Sequence, residues 1–98
     1  MCRLCQKEKL TPWYVDTPEY WVAEDADPKG YPKRILGVYN QHSASCPIPV
    51  LAKIITDMIS IAHQQNLLVR DGWLNVAFDG EVSIRDHWHI QLNVLKPA

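Results

Sequence analysis

Apolar and polar residues follow two different periods along this chain, and each period predicts its elements. Trp13-Tyr14-Val15-Asp16 and Tyr20-Trp21-Val22-Ala23-Glu24 are short aromatic and β-branched runs on either side of Thr17-Pro18. Such residues fit a pleated surface, so the two runs predict strands and the break between them a hairpin. Asp25 to Pro32 holds Pro28, Gly30 and Pro32, which exclude regular structure there. Arg34-Ile35-Leu36-Gly37-Val38-Tyr39 predicts a third strand, with Gly37 marking a bulge or a close approach. A polar loop, Asn40 to Ser45, leaves it.

The period then changes. Leu51, Ile54, Ile55, Met58, Ile61 and Ala62 recur every three or four residues, with Lys53, Asp57, Ser60 and Gln64 mostly on the opposite side. That spacing predicts one amphipathic helix over Val50 to Gln65, stopped by Asn66. Leu67-Leu68-Val69-Arg70 leads into an Asp71-Gly72 turn, and Trp73-Leu74-Asn75-Val76-Ala77-Phe78 predicts a fourth strand. Asp79-Gly80 turns again, and Val82-Ser83-Ile84-Arg85 links to a last strand. Strands, one helix, then strands predict an α+β fold: a mainly antiparallel sheet of about five strands with one long covering helix. With 98 residues and no repeat or linker, residues 1–98 read as a single domain.

The last strand departs from an ordinary half-buried pattern. In Asp86-His87-Trp88-His89-Ile90-Gln91-Leu92-Asn93-Val94, alternate positions put Trp88, Ile90 and Leu92 on one face and His87, His89 and Gln91 on the other. Two imidazoles and an amide about 7 Å apart are groups that ligate metals, attack phosphorus or donate hydrogen bonds, which a solvated strand face does not require.

Composition narrows the classes. Lys and Arg total 10 against 11 Asp and Glu, interspersed, so the chain offers no basic stripe for nucleic acid. No apolar run reaches transmembrane length, and Met1-Cys2-Arg3-Leu4-Cys5 is not a signal peptide, so no membrane role is expected. Three cysteines leave one over from any closed disulfide set, which makes a reduced, cytoplasmic setting the expectation. Cys2-Arg3-Leu4-Cys5 is a C-x-x-C pair whose spacing suits either one tetrahedral zinc ion or a redox couple. His63 lies at the rim of the helix and Cys46 in the loop before it, and neither pattern singles out a chemical role.

His87-Trp88-His89-Ile90-Gln91-Leu92 resembles the signature of the histidine-triad superfamily, with Gln91 in place of the usual third histidine. That form is similar to the nucleotidyl-transferase branch typified by galactose-1-phosphate uridylyltransferase and diadenosine tetraphosphate phosphorylase. The resemblance implies that His89 is a nucleophile forming a nucleotidyl-histidine, and that Gln91 donates a hydrogen bond to a phosphate oxygen. It implies a structural zinc held by Cys2, Cys5, His42 and His87, which stand in the order of the superfamily's metal ligands. Asp25 resembles an acidic residue that contacts ribose, Asn75 an asparagine that contacts phosphate, and Ser83 a serine near the leaving group, one residue out of register. The expected substrate is a nucleoside phosphate or dinucleotide, and the expected assembly a homodimer. Departures lie at Lys33-Arg34, where the superfamily has glycine-histidine, at Asn40-Gln41 and at Asp79-Gly80-Glu81. They motivate the alternative of a catalytically inactive nucleotide- or zinc-binding module.

Overall fold

Side chains of a strand alternate between faces, so strand register decides which residues of this chain can meet. The computed structural model describes residues 3–6, 11–80 and 86–95. A short turn of helix, α1 (Arg3–Gln6), precedes β1 (Trp13–Asp16), β2 (Tyr20–Glu24) and β3 (Lys33–Tyr39). The long helix α2 (Ile48–Gln64) follows, then β4 (Val69–Arg70), β5 (Trp73–Leu74), β6 (Val76–Asp79) and β7 (His89–Val94). β1-β2-β3-β7-β6 form one five-stranded sheet in that spatial order, antiparallel at every pairing, and β4 with β5 forms a separate ribbon. This is the α+β layout that the hydrophobic periods predict.

The helix covers one face of the sheet. Val50, Ile54, Met58, Ile61 and Ala62 bury against Tyr20, Val22, Ile35 and Leu92, with Trp88 and Ile90 packed at the margin. Gly37 lies under this contact: a Cβ there would stand 2.5 Å from Ile54 Cγ2 and 2.8 Å from Met58 Sδ. Gly37 therefore permits close approach of helix to sheet. The helix ends at Asn66, as its sequence suggests. Asn66 takes φ 57°, the Asn66 N–H donates to the His63 carbonyl and the Leu67 N–H to the Ala62 carbonyl, satisfying the last carbonyls of the helix.

The predicted strand over residues 73–78 divides at Asn75. Asp71 and Gly72 both take positive φ, 53° and 81°, the two-residue turn that matches strand twist, and β4 and β5 close on it as a hairpin. The Asn75 N–H then donates to the Leu68 carbonyl of the ribbon side, while its carbonyl accepts from the Leu95 N–H of the sheet side. Asn75 is thus the residue at which the chain changes partners, and a local pattern cannot register that change.

Candidate active site and metal centre

Residues directly opposite on paired strands share a face, so the register lays out the face turned away from α2. Trp21 opposes Val38, which opposes His89. Ala23 opposes Leu36, which opposes Gln91, which opposes Asp79. Arg34 opposes Asn93, which opposes Ala77. An apolar patch of Leu4, Trp21, Ala23 and Val38, flanked by Trp13 and Leu36, lies beside a polar strip of His89, Gln91, Asn93 and Arg34. The Trp13 and Trp21 rings stack with centroids 4.5 Å apart.

His87 and His89 use their two ring nitrogens differently, and backbone carbonyls decide how. A carbonyl only accepts, so the nitrogen facing it carries the hydrogen. His89 Nδ1–H donates to the His87 carbonyl at 2.9 Å, which leaves the lone pair on Nε2. His87 Nε2–H donates to the Tyr39 carbonyl at 2.5 Å, which leaves the lone pair on Nδ1. Both rings are buried, at 6% and 1% exposure. Gln91 is buried too, yet its amide oxygen has no hydrogen-bond partner among the described residues. A buried acceptor left unsatisfied costs about 1–3 kcal/mol.

His87 Nδ1 opens onto a second group of donors. Cys5 Sγ lies 3.3 Å from it and 3.2 Å from His42 Nδ1, and the ligand atoms of Cys5, His42 and His87 all lie within 4.8 Å of one another. Three local features bring them together. Leu4 buries in the apolar patch and so fixes α1, carrying Cys5, on this face. The Trp88 N–H donates to the Ser43 carbonyl and the Tyr39 N–H to the Trp88 carbonyl, which sews the His42 loop to the start of β7. Zinc held at about 2.0 Å by nitrogen and about 2.3 Å by sulfur places tetrahedral neighbours about 3.5 Å apart, close to the sulfur–nitrogen distances seen here. A thiolate, two imidazoles and a carbonyl orienting one of the rings make a donor set that fits zinc.

The remaining predicted residues are distributed unevenly. Cys2 and Ser83 lie outside the described residues. Asp25 joins the polar strip through Arg34, with Asp25 Oδ2 3.7 Å from Arg34 Nη1. Asn75 stands opposite Leu95, past the end of β7 and about 20 Å along the strands from the His89 row, so the fold does not bring it to His89. Asp79 takes the place beside Gln91 instead. The sequence reading missed three residues of the strip: Arg34, Asp79 and Asn93. Asn93 continues the every-second-residue run of His87, His89 and Gln91, a signal that was available; the other two join only through register. His63 is exposed, and Cys46 is half-buried, its thiol pKa raised by that burial.

A solved histidine triad protein from Clostridium difficile superposes on this chain with a TM-score of 0.68 and 16% identity, over 99% of this chain and 90% of that one. The fold is that of a histidine triad protein. No protein-family model and no curated protein sequence matches the chain. Among the described residues no helix is long and apolar enough to cross a membrane.

Proposed function

We propose that this histidine-triad fold carries a nucleotidyl transferase or hydrolase that acts on a nucleoside phosphate or dinucleotide through His89. The observation that supports this reading is the tautomer of His89. Its Nδ1–H is committed to a backbone carbonyl, so the nitrogen with a lone pair, Nε2, is the one left for attack on phosphorus. In the first half-reaction Nε2 bonds to the α-phosphorus, and the bond to the leaving oxygen breaks with its electron pair. In the second, an acceptor oxygen displaces His89. Gln91 is next on the same face, and its amide NH2 would donate a hydrogen bond to a non-bridging phosphate oxygen as charge develops. An amide carries no proton to water, so the acceptor is better supplied as a phosphate, which needs no base; this favours transfer or phosphorolysis, the chemistry of the galactose-1-phosphate uridylyltransferase and diadenosine tetraphosphate phosphorylase branch.

Zinc on Cys5, His42 and His87, with Cys2 as the fourth ligand, would cross-link the first turn, the middle loop and the start of β7. Its part is structural: it holds His87, whose carbonyl in turn orients His89. We also propose a homodimer, formed at the outer side of β6, one of the two edge strands of the sheet, beside exposed Phe78 and Leu95. Sedimentation at micromolar concentration tests it, and a monomer throughout would refute it.

The enzymatic reading is tested by mixing the protein with a panel of nucleoside phosphates and measuring its intact mass after an acid-free quench. An added nucleotidyl mass in the wild type, absent in His89→Ala, is the expected result. Wild type without adduct or turnover against the whole panel would overturn it in favour of a binding module.

A further inference from the structure

The sheet has two edges, and the chain treats them differently. β1 is four residues long, its register slips between Trp13 and Val15, and Pro12 and Pro18 flank it. Bulges and prolines blunt an edge against pairing with another chain. The edge at β6 has no such guard. Asn75 turns both its backbone groups inward, the N–H to Leu68 and the carbonyl to Leu95, so β4 and β7 lie on one side of a single run, residues 73–79. Successive residues of a strand direct these groups to opposite edges. Leu74, Val76 and Phe78 therefore turn theirs outward, where no strand among the described residues meets them. The run Trp73-Leu74-Asn75-Val76-Ala77-Phe78-Asp79 holds no lysine and no proline. Its large apolar side chains face solvent: Trp73 is 79% exposed, Leu74 69% and Phe78 41%. A hairpin as short as β4–β5 is marginal by itself, and Val69, across from Leu74, is exposed as well. A specific interface takes roughly 800 Å² from each partner, of which an indole exposed like that of Trp73 supplies about 200 Å².

A second copy of the chain fits this edge. Identical antiparallel strands pair about a two-fold axis, so each contact occurs twice. Outward-facing groups must meet outward-facing groups, and the register that pairs the whole run sets Val76 against Val76 and Leu74 against Phe78. Both pairs lie on the helix face, since Val76 and Phe78 oppose Val94 and Leu92. On the other face, that of the polar strip, the same register sets Trp73 against Asp79, which itself opposes Gln91. We propose that this register forms the dimer and that the partner's Trp73 walls the outer end of the Gln91–Asp79 row. Within one chain Trp73 and Asp79 stand at opposite ends of the run, about 20 Å apart, so only the partner's Trp73 reaches the row. Its Cβ lies about 4.5–5.5 Å from that of Asp79. An indole there keeps water from a phosphate held by Gln91, and a hydrogen bond is stronger where water is excluded. The inference rests on the nucleotidyl reading and the homodimer proposed above.

Two experiments test it. In Val76→Cys the two thiols meet on the two-fold axis with Cα atoms about 5.5 Å apart, within the reach of a disulfide. Oxidised glutathione should cross-link most of this protein, and peptide mapping should join position 76 to itself. The second experiment mixes subunits whose intact masses tell them apart. Trp73→Ala alone should acquire the nucleotidyl mass about tenfold more slowly than wild type, the scale of one charge-assisted hydrogen bond. His89→Ala lacks the nucleophile but carries an intact Trp73. Added in excess, at a concentration where sedimentation shows dimers, it should restore labelling of the Trp73→Ala chain to near the wild-type rate. The double variant Trp73→Ala/His89→Ala should not. A dimeric Val76→Cys without the cross-link overturns the register. Normal labelling of Trp73→Ala, no rescue by His89→Ala, or equal rescue by the double variant overturns the role in trans and leaves the enzyme and the dimer standing. A wild type that stays monomeric refutes the homodimer and this inference with it. A wild type without adduct removes the enzymatic reading and the role of Trp73, and the cross-link still decides the pairing.

Discussion

Gly37→Ala is expected to destabilise the fold by about 1–2 kcal/mol without disarming the site. Gly37 does not serve an unusual backbone: the positive-φ glycines among the described residues are Gly30 and Gly72. What it supplies is room. A methyl group at this position would meet Ile54 Cγ2 at 2.5 Å and Met58 Sδ at 2.8 Å, both under any ordinary contact distance. Ile54 and Met58 are each at 0% exposure, so neither can swing into solvent, and helix and sheet must separate by several tenths of an ångström. Overpacking of a close-packed core costs about 1–3 kcal/mol. Alanine restricts the unfolded chain more than glycine does, which offsets about 0.4–1 kcal/mol of that. For a domain of this length the net loss corresponds to a melting temperature lower by about 5–15 °C. The assay is urea unfolding followed by tryptophan fluorescence: the midpoint should fall with an unchanged slope. Adding Met58→Ala should make the effect of Gly37→Ala smaller than in the parent, because the two share one space. Leu36 and Val38, which flank Gly37, face the other side of the sheet, so the His89 adduct should persist in the folded fraction. A Gly37→Ala protein as stable as wild type would refute this account of helix docking.

Other outcomes follow from the same contacts. Chelation, or His42→Ala, should release about one zinc per chain and lower the melting temperature, measured by metal analysis and calorimetry on one sample; a wild type purified with zinc available yet free of it would refute the ligand set. Tyr20 has its pKa pushed up from 10.0 to about 12, first by burial, then by its hydrogen bond to Asp57 and the charges of Asp57 and Glu19. Its folded value lies above its unfolded one, so its contribution to stability is complete below pH 10 and is lost as pH rises toward 12; unfolding midpoints across that window, compared with Tyr20→Phe, check the sign. Asn66→Gly should be neutral or stabilising, and Asn66→Val should cost about 1–2 kcal/mol, since the residue sits at φ 57° where a β-branched side chain is strained; paired thermal melts decide it.

The sequence by itself determined what depends on neighbours a few residues apart. The period of two in β7, the three-and-four period of α2, the helix stop at Asn66 and the turn at Asp71-Gly72 are local geometry, and local residue types record them. His87 and His89 were legible as chemical groups for the same reason: alternation alone puts them on one face, away from Trp88 and Ile90. Their ring tautomers were not, because the carbonyl that orients His87 belongs to Tyr39, 48 residues earlier. Spacing along the chain does not bring Cys5 and His42 together either; only the family resemblance grouped them. Burial of Leu4 and the backbone bonds between Ser43, Trp88 and Tyr39 bring them to His87. Asn75 looked like a strand residue with an amide to offer, and the partner change between ribbon and sheet carried it away from His89. Register did the opposite for Arg34 and Asp79, which reach the Gln91 end of the strip across two strand pairings. A strand's own sequence specifies which side chains share its face. Which foreign side chains lie across from them is set by how the strands pair, and only the folded sheet decides that.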